Sequence, residues 1–403
     1  MTQTKEPLVQ ETSAYTKITP PCPYFGVCGG CQLQDLAYAD QLLLKRDRLQ
    51  RTLAPLGSMP DLELVPLEEP WRYRNKAEFT FGESQGRVLL GYHAARSFWR
   101  VVDLEDCLLL PEPIMGILRD VRRLAEESGL PVYRPRTRQG FYRYLLVRQS
   151  PATGQTLLCL LTTPGSQEVI ERLAHELMER HPQLASVYWG VASKPADVAI
   201  PETLQLIAGV PYLDDRVGPF QLKLHPLSFL QPTRLQAERM YQALCDLLCD
   251  RPSSVAWDLY CGLGLVAFYL SRQAQKVYGI DSEPSHLALA SLNASLNGLH
   301  NVEFRSGQVE TMLLDRRFWL QEAKPDLIVV DPPRAGLHLR ALSSILAARP
   351  RRLAYVSCNP QALVRDLGLL LNSFPKYRLA EVRAFDMFPH TDHVETLALL
   401  ERA

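Results

Sequence analysis

Asp258-Leu-Tyr-Cys-Gly-Leu-Gly-Leu-Val-Ala267 is the segment that decides the predicted fold class of this chain. An apolar run from Val255 to Leu259 leads into it and a helical pattern begins near Val266, so its two glycines lie where a strand passes into a helix. A glycine turn at that point is typical of the first unit of a doubly wound α/β sheet, which binds its cofactor at the carboxyl ends of the strands. We therefore expect a cofactor crevice at this turn.

The sequence after Pro226 alternates between helical patterns and short apolar strands. Strands that are near-continuous in Val, Ile and Leu are typical of a mostly parallel sheet that helices cover on both faces. This region is therefore predicted to be a Rossmann-like α/β domain. The predicted helices are Arg234 to Leu248, Val266 to Ser271 and Pro284 to Asn297, and the predicted strands are Val255 to Leu259, Val277 to Asp281, Val302 to Phe304, Leu327 to Asp331 and Leu353 to Ser357.

Changes in periodicity divide the chain of 403 residues, of which 46% are hydrophobic, into several parts. Between Ala77 and Leu213 short β-branched and aromatic runs predict strands, interrupted by one helix from Gln167 to Arg180. Upstream, leucines from Leu33 to Leu49 are spaced as one face of a helix. The predicted organisation is a flexible tail at 1–20, a cysteine loop and helix at 21–58, a smaller β-rich central domain at 59–220 and the α/β domain at 221–403.

The composition excludes several classes of protein. Lys and Arg total 44, as do Asp and Glu, so any nucleic-acid surface must be local. No stretch has the apolar run of a signal peptide or of a membrane-spanning helix, which needs roughly 18 residues. We expect a cytoplasmic monomer with no membrane partner, in which nine cysteines are ligands, nucleophiles or packed residues rather than disulfides. Cys159, Cys245 and Cys249 are predicted to pack.

The glycine turn leaves two cofactor classes to weigh. It matches G-x-G-x-x-A, which a dinucleotide-binding turn also does. Asp258, however, lies where a pyrophosphate would sit at the helix amino terminus, and a carboxylate there repels phosphate but suits the cationic sulfonium of S-adenosylmethionine. Asp281, which closes the next strand, would accept hydrogen bonds from a ribose in either case. A purely structural tight turn is the simpler alternative.

Val329-Val-Asp-Pro-Pro-Arg-Ala-Gly336 predicts a rigid acidic loop at the same edge of the sheet. Two prolines cannot continue a sheet ladder, so they fix a loop that carries Asp331 at the end of a buried strand. Such a loop can grip a flat base, and it also occurs in enzymes that methylate exocyclic amines. The loop therefore indicates nucleobase methylation without specifying the atom, and an ordinary proline-rich edge loop remains the alternative.

Cys358 follows the predicted strand Leu353 to Ser357 and is expected at the same edge. Pro360 biases Asn359 away from helical geometry, so the thiol should project from the strand end. Packing as a small apolar side chain is the alternative. A thiolate there could add to C6 of uracil and create an enolate that accepts a methyl group at C5, after which a base must remove the C5 proton.

Asp386-Met-Phe-Pro-His-Thr-Asp-His-Val-Glu-Thr396 offers three candidates for that base. Glu395, His390 and His393 could each accept a proton, while a solvated loop is the alternative explanation for this polar density.

Cys22, Cys28 and Cys31 have C-x5-C-x2-C spacing in a glycine-rich loop, which indicates a metal site. Cys107 offers a fourth thiolate, and spacing alone fits zinc and an iron–sulfur cluster equally well, with accidental cysteines as a third reading. A redox enzyme is the competing interpretation of a cluster, and it predicts a linked electron acceptor, for which the sequence offers no motif.

Two basic and aromatic segments indicate a surface for single-stranded RNA. The first lies between Ser128 and Ser150, and the second runs from Trp71 to Lys76. A strand with a basic outer face for solubility is the alternative. The residues of the first segment are Arg134, Arg136, Arg138, Arg143 and Arg148, interleaved with Tyr133, Phe141, Tyr142 and Tyr144.

Four motifs together resemble the successive motifs of the RNA (uracil-5)-methyltransferase family, especially its iron–sulfur members that modify 23S ribosomal RNA. They are the glycine turn, Asp331-Pro-Pro-Arg-Ala-Gly336, Tyr355-Val-Ser-Cys-Asn-Pro360 and Phe388-Pro-His-Thr-Asp-His-Val-Glu395, and the resemblance runs from Cys22 to the end. It implies S-adenosylmethionine-dependent formation of 5-methyluridine in RNA, with 23S rRNA as the expected substrate. A tRNA substrate and a non-catalytic iron–sulfur RNA-binding protein are the alternatives.

The resemblance also implies roles for individual residues. Cys358 would be the nucleophile and Glu395 the C5 proton acceptor, with His390 and His393 as supporting loop residues. The methyl donor would be bound by Gln231, Tyr260, Asp281, Gln308 and Asp331, and a structural [4Fe-4S] cluster by Cys22, Cys28, Cys31 and Cys107. The separate amino-terminal RNA-binding β-barrel of many members is expected to be missing, because only some twenty residues precede Cys22.

Overall fold

The computed structural model describes residues 15–57, 61–97, 99–194, 200–248, 252–317, 319, 323–373 and 376–402. Most of the predicted tail, and Cys249, lie outside these residues, whereas Cys159 and Cys245 are buried as predicted. No helix in the described ranges is long and apolar enough to cross a membrane.

Helices and strands alternate along much of the described chain. The helices are α1 (Tyr38–Leu53), α2 (Glu112–Glu127), α3 (Gln167–Arg180), α4 (Arg234–Leu248), α5 (Leu265–Leu270), α6 (Pro284–Leu296), α7 (Val309–Met312), α8 (Leu339–Ala348) and α9 (Pro360–Ser373). The strands are β1 (Leu62–Val65), β2 (Lys76–Ser84), β3 (Arg87–His93), β4 (Val101–Asp103), β5 (Tyr142–Gln149), β6 (Thr156–Thr162), β7 (Leu184–Val191), β8 (Thr203–Gly209), β9 (Leu213–Val217), β10 (Phe220–Leu224), β11 (Ser253–Leu259), β12 (Ala274–Asp281), β13 (Val302–Ser306), β14 (Leu327–Val330), β15 (Arg352–Ser357), β16 (Tyr377–Phe385) and β17 (Glu395–Arg402).

The larger sheet has the order β1-β16-β17-β15-β14-β11-β12-β13. Strands β11 to β15 are parallel to their neighbours in that run, which confirms the mostly parallel sheet predicted from the apolar runs. Strand β17 runs antiparallel to both β15 and β16, so its first residue lies at the edge where the parallel strands end. Strand β1, which the sequence assigned to the central region, pairs with β16 through Leu62 and Val382 and extends this sheet.

Helices cover both faces of this sheet. On one face Met240 of α4 and Phe268 of α5 pack in one apolar cluster with Val356 of β15. On the other face Leu49 of α1 and Leu367 of α9 pack with the neighbouring residue, Tyr355. The alternation of Val356 and Tyr355 between two clusters is the period-two pattern of a strand that is buried on both sides.

The smaller sheet has the order β4-β3-β2-β5-β6-β7-β8. Helix α3 connects β6 to β7, which are the parallel pair in an otherwise antiparallel arrangement. Helix α3 has the predicted bounds, but α2 was not predicted, although its buried residues Ile114, Leu118 and Val121 have helical spacing. Both helices pack against the sheet in one apolar core.

The amino-terminal segment differs from its prediction in one respect. Helix α1 begins at Tyr38, and Leu33 and Leu36 lie before it. These two leucines are buried with Leu44 in a small separate cluster. Their spacing therefore reflects a shared apolar contact rather than a shared helix.

Candidate active site

The carboxyl ends of the parallel strands bring the predicted site residues to one edge of the larger sheet. Asp281 ends β12, Asp331 follows β14 and Cys358 follows β15. Glu395 begins β17, which runs in the opposite direction, so it lies at the same edge. This edge is the crevice that the sequence predicted from the glycine turn.

Strand order places Cys358 between two carboxyl groups. Strand β15 lies between β14 and β17, and the register pairs Ser357 with Thr396. Cys358 is the residue after Ser357 and Glu395 the residue before Thr396, so the two are neighbours across the strands. Asp331 follows β14 on the other side of Cys358. The candidate nucleophile therefore lies beside the candidate base Glu395, and the candidate cofactor residue Asp331 lies at the end of the neighbouring strand.

The three groups perturb one another. Burial raises the pKa of Glu395, which is 2% exposed, well above its usual value, and the charge of Asp331 raises it further. Burial also raises the pKa of Asp331. Burial raises the pKa of the Cys358 thiol as well, Glu395 adds to this rise, and Arg334 opposes it. The resting site therefore holds a neutral thiol beside carboxyl groups that bind protons more tightly than free ones.

Asn359 fixes the turn that carries Cys358. Its backbone N–H donates to Ser357 Oγ at 3.1 Å, and its side-chain Oδ1 accepts from the N–H of Gln361 at 3.2 Å at the start of α9. Its Nδ2 donates to the carbonyl of Arg334 at 2.8 Å. The asparagine thus connects the cysteine turn to the loop that carries Asp331.

A buried carboxylate supports the Asp331 loop from beneath. Asp366 of α9 is 1% exposed and its Oδ2 accepts from the Leu337 N–H and from the Tyr355 hydroxyl, both at 2.7 Å. Gly336 has φ 83°, and a Cβ there would lie 2.6 Å from Asp366 Oδ2. Only glycine therefore fits at this end of the loop. The sequence prediction missed Asp366, because nothing local distinguishes it from a solvated helical aspartate.

The glycine turn has the features of a built ligand site. The Gly262 N–H donates to Asp281 Oδ2 at 2.9 Å, and Gly264 has φ 80° with Phe304 2.5 Å from where its Cβ would be. Tyr260 has φ 67°, a left-handed conformation that non-glycine residues adopt at a cost of order 1–3 kcal/mol. Strain of this kind collects where backbone geometry serves a ligand.

Two acidic residues at this turn differ in their ionisation. Asp258 is 1% exposed; its Oδ2 accepts from the Ala267 N–H, whereas its Oδ1 has no hydrogen-bond partner in the described chain. Burial raises the pKa of Asp258 to about 8, so this group is mostly neutral at pH 7 and the repulsion of phosphate expected from the sequence is weakened. Burial would raise the pKa of Asp281 too, but hydrogen bonds from His286 and two backbone amides lower it, so this carboxylate stays ionised. An ionised Asp281 suits the ribose of either cofactor, so the turn alone does not separate S-adenosylmethionine from a dinucleotide.

The other two predicted cofactor residues lie at the margins of this turn. Gln308 is exposed and precedes α7, directly after β13. Gln231 is 3% exposed in the segment before α4, where its carbonyl accepts from Asn75 Nδ2 at 2.9 Å. That hydrogen bond joins the central sheet to the larger one at the predicted cofactor site.

His390 is fully engaged within the protein. Its Nε2 donates to the Pro70 carbonyl at 3.0 Å, its Nδ1 accepts from Gln41 Nε2 at 3.2 Å, and its ring stacks on Trp71 at 3.7 Å. Burial lowers the pKa of His390 to about 4. With both ring nitrogens occupied, His390 has no free lone pair for a substrate proton.

His393 is a weaker candidate than Glu395. Its Nδ1 lies 3.3 Å from Arg334 Nη2, and burial lowers its pKa, with Arg334 adding to that effect. The imidazole is therefore neutral and accepts from a guanidinium. Of the three proposed bases, Glu395 is the one that lies beside Cys358 with no hydrogen-bond donor among the described residues.

A buried ion pair anchors the loop that leads to Glu395. Lys45 of α1 lies 2.6 Å from Asp386, with side chains 1% and 0% exposed. The Tyr38 hydroxyl donates to the other Asp386 oxygen at 2.8 Å, and Lys45 also donates to the Phe388 carbonyl at 3.0 Å. The sequence prediction missed Lys45; the available signal was a lysine that directly follows the apolar face of a helix.

The four cysteines of the predicted metal site line one cavity. Its lining includes Cys22, Cys28, Cys31 and Cys107 together with the half-buried cation Arg74. Burial raises the pKa of Cys31 to about 12 and that of Cys107 to about 11. In the part of the chain that the structure describes, no three His, Cys, Asp or Glu side chains converge as ligands of a single metal ion. The cysteines are therefore brought together, but a metal site is not shown.

The predicted RNA surface is partly wrong. Arg143 and Arg148 are 4% and 0% exposed, and they donate to main-chain carbonyls, those of Ala192 and Ser228 among them. Arg74 is half-buried and lines the cavity of the four cysteines, and Trp71 stacks on His390. Local composition could not reveal this burial, because the carbonyls that satisfy the guanidinium groups come from distant segments. Arg134, Arg136 and Arg138 are exposed.

The chain is similar to known proteins over most of its length. A family model described as tRNA (uracil-5-)-methyltransferase matches residues 213–403, which include the glycine turn, Cys358 and Glu395. Two uncharacterized RNA methyltransferases, from Halalkalibacterium halodurans and Caldanaerobacter subterraneus, are 34% and 35% identical; each alignment covers 96% of this chain and 84% or 86% of the relative.

A solved structure shares the architecture. The tRNA (uracil-54, C5)-methyltransferase of Pyrococcus abyssi, crystallised with S-adenosyl-L-homocysteine, matches with a TM-score of 0.75 and 27% identity, over 92% of this chain and 85% of that one.

Proposed function

This chain belongs to the tRNA (uracil-5-)-methyltransferase family and is an S-adenosylmethionine-dependent RNA methyltransferase, and from this premise we propose that it forms 5-methyluridine in 23S ribosomal RNA through a covalent adduct with Cys358. The observation that carries the proposal is the position of Cys358 between Asp331 and Glu395 at the cofactor edge. A cysteine whose only role is packing needs no carboxyl groups beside it.

The proposed reaction uses each neighbour of the thiol. The thiol of Cys358 gives its proton to water, and the thiolate Sγ then adds to C6 of uracil, which turns C5 into a nucleophilic enolate carbon. The cofactor supplies an electrophilic methyl group, and Gln231, Tyr260, Asp281, Gln308 and Asp331 are the residues that would hold it. Glu395 then takes the C5 proton, the C6–S bond breaks, and its electron pair leaves with the thiolate.

The raised pKa of Glu395 suits this last step. A carboxylate with an ordinary pKa is a weak base, whereas one with a raised pKa binds the proton that it removes more tightly. Burial and Asp331 produce that rise.

The target uridine has to leave its stack to reach this edge, since a paired base does not expose C6 to a side chain.

The assay for the reaction is methyl transfer from tritiated S-adenosylmethionine to total RNA. We expect label in 5-methyluridine of 23S rRNA, loss of label with Cys358→Ala, and full activity with Cys159→Ala, whose thiol is buried in the central sheet. Label that appears in N6-methyladenosine instead would overturn the proposal.

A tRNA substrate is the second candidate, because the Pyrococcus enzyme with the shared architecture is a tRNA methyltransferase. Separating the labelled RNA into ribosomal and transfer fractions distinguishes the two substrates. RNA binding without any methyl transfer would instead support a non-catalytic protein.

The role of Glu395 has its own test. Glu395→Gln keeps the shape of the side chain but cannot accept the C5 proton, so we expect a methylated protein–RNA adduct that persists on a denaturing gel. His393→Gln is the matched control, and we expect it to release its product. Release of product by Glu395→Gln at the wild-type rate would refute the assignment.

We further propose that Cys22, Cys28, Cys31 and Cys107 hold a structural [4Fe-4S] cluster. The support is that they line one cavity together with the half-buried guanidinium of Arg74, a cation suited to an anionic cluster. Broad visible absorbance and bound iron are expected, and Cys107→Ser should lose both. Stoichiometric zinc in colourless protein would refute the cluster.

The remaining proposals concern organisation and setting. We propose that the chain is divided into segments 1–20, 21–58, 59–220 and 221–403. Strand β1, from segment 59–220, joins the larger sheet through its pairing with β16. A cytoplasmic monomer is expected, and light scattering of the purified protein measures the oligomeric state.

A further inference from the structure

Trp99 stands out on the surface of the central sheet. It is 60% exposed, whereas Trp189, Trp257 and Trp319 are buried and Trp71 stacks on His390. The turn that carries it, between β3 and β4, is held by the Ala94 N–H, which donates to the Arg100 carbonyl at 2.7 Å. A large aromatic ring is therefore presented to solvent next to a residue, Arg100, whose carbonyl is hydrogen-bonded.

One arginine lies over this ring, and further exposed arginines lie on the same two turns. The Arg136 guanidinium carbon lies 5.7 Å from the centre of the Trp99 ring, so the 134–139 turn lies against the β3–β4 turn. Neither 94–101 nor 131–140 contains an acidic residue. In the described chain, Arg134 is paired with Glu83, but no carboxylate pairs with the other exposed arginines of these turns. They are Arg96, Arg100, Arg136 and Arg138.

Two of these arginines are held in an unfavourable backbone conformation. Arg96 has φ 60° and Arg138 has φ 58°, in the left-handed region that favours glycine. Each turn therefore carries a long cationic side chain where a glycine would cost less. Strained residues of this kind collect at functional surfaces, which supports a binding role for the two turns.

The Trp99 turn is physically connected to the catalytic edge. The Ala95 N–H donates to the Val27 carbonyl at 2.8 Å, and the Gly29 N–H donates to the His93 carbonyl at 2.9 Å. The same cysteine loop continues to Gln32, whose N–H donates to the His390 carbonyl at 2.9 Å. A chain of backbone hydrogen bonds thus links this surface to the loop that leads to Glu395.

We propose that Trp99 is a stacking platform for an unpaired base of the substrate RNA, and that Arg96, Arg100, Arg136 and Arg138 bind the adjoining phosphates. The inference rests on the proposed RNA substrate and names the surface that holds it. An exposed indole on turns that carry unpaired cations matches single-stranded RNA, whose bases offer a face for stacking and whose backbone offers negative charge. A duplex offers the charge but keeps its bases stacked.

Tryptophan fluorescence during titration with a twelve-residue oligouridylate tests the platform. We expect quenching in the wild-type protein, no quenching in Trp99→Phe, and a dissociation constant for Trp99→Ala that is about 5- to 150-fold higher, the range for losing one stacked base. Arg172→Ala on α3 removes an exposed arginine elsewhere on the same domain and should bind as wild type.

Three results would overturn the inference: no binding of the oligonucleotide by the wild-type protein, equal affinity of Trp99→Ala, or equal quenching by an RNA duplex. A protein that methylates total RNA while Trp99→Ala has the wild-type KM would overturn this inference and leave the methylation proposal standing. A protein that binds the oligonucleotide through Trp99 but transfers no methyl group would overturn the methylation proposal and leave this inference standing.

Arg138→Gly tests the backbone argument. Glycine relieves the strain at φ 58°, so we expect an equal or higher melting temperature together with weaker binding and a salt dependence reduced by about one charge. Gln85→Gly is the matched control, because Gln85 is exposed at φ 51° and uncharged. It should change stability in the same direction and leave binding unchanged. Unchanged binding by Arg138→Gly would remove Arg138 from the surface.

Discussion

Replacing Lys45 by methionine should destabilise the protein by about 3 kcal/mol, because it leaves a carboxylate buried without its cation. Lys45 and Asp386 are 2.6 Å apart with side chains 1% and 0% exposed, so no water replaces the ammonium group. Removing one partner of such a pair typically costs about 3–5 kcal/mol, most of it from the uncompensated charge.

The surrounding contacts set the expected value within that range. The Tyr38 hydroxyl still donates to Asp386 at 2.8 Å, which retains one hydrogen bond of about 1 kcal/mol. The Phe388 carbonyl loses Lys45 but keeps the Thr391 hydroxyl at 2.8 Å. The Phe388 carbonyl is therefore not left without a donor. The charge of Asp386 is the main uncompensated group, so the cost falls at the lower end of the range.

Urea unfolding followed by circular dichroism measures the effect in a double-mutant cycle. Lys45→Met combined with Asp386→Asn should be more stable than Lys45→Met alone, since the amide carries no charge and still accepts from Tyr38. We expect a recovery of about 2 kcal/mol, because most of the single-variant cost is the buried charge.

An exposed ion pair provides the control. Lys17 lies 2.5 Å from Asp35, but their side chains are 50% and 34% exposed, so Lys17→Met should cost less than about 1 kcal/mol. If Lys45→Met costs no more than Lys17→Met, or if Asp386→Asn fails to recover stability, the buried-charge argument is wrong.

Three further predictions follow from the site. Gly264→Ala should weaken S-adenosylmethionine binding in calorimetry and lower the melting temperature, because φ is 80° and Phe304 lies 2.5 Å from the new Cβ; unchanged affinity would contradict this. The wild-type protein should lose up to about 3 kcal/mol of unfolding free energy between pH 6.5 and 4, since the unfolded chain binds a proton at His390 that the folded chain, with a pKa of about 4, does not. His390→Asn, measured by urea unfolding at several pH values, should lack that part of the slope, and an identical slope would contradict it. The rate at which iodoacetamide alkylates Cys358, measured by mass spectrometry, should rise about tenfold from pH 7 to pH 8, because the pKa of the thiol is raised. Arg334→Ala should slow the alkylation at fixed pH, because Arg334 lowers that pKa. A rate independent of pH would contradict the neutral thiol.

Local patterns predicted the edge of the larger sheet well. Helix α4 has the predicted bounds, and Asp281 and Cys358 lie at strand ends because apolar runs reveal where a buried strand stops. Parallel strands then bring their ends together without any knowledge of long-range contacts. This is why the shared edge of Asp281, Asp331 and Cys358 could be predicted from the sequence pattern, whereas the full set of candidate cofactor residues came from the resemblance to the family.

The errors came from contacts between distant segments. The local sequence predicts that Arg148 is a surface cation, but its guanidinium is buried and donates to the carbonyl of Ser228, 80 residues away. The local sequence makes His390 a candidate base, but both of its ring nitrogens are hydrogen-bonded to Pro70 and Gln41, more than 300 residues away. None of these partners can be recognised from the sequence around Arg148 or His390. Periodicity and composition therefore predicted an exposed side chain in both cases.

His390 also explains why a cysteine-rich loop would belong to an enzyme whose proposed reaction moves no electrons. The backbone N–H groups of Gln32 and Leu33, which directly follow Cys31, both donate to the His390 carbonyl, at 2.9 and 3.0 Å. Gln41 of α1 holds its ring and, at 3.1 Å, its backbone N–H. A ligand that fixed Cys31 would therefore fix the loop between Asp386 and Glu395 as well. In the proposed enzyme the cysteine loop would act on the site by holding His390 in position, which needs no redox chemistry.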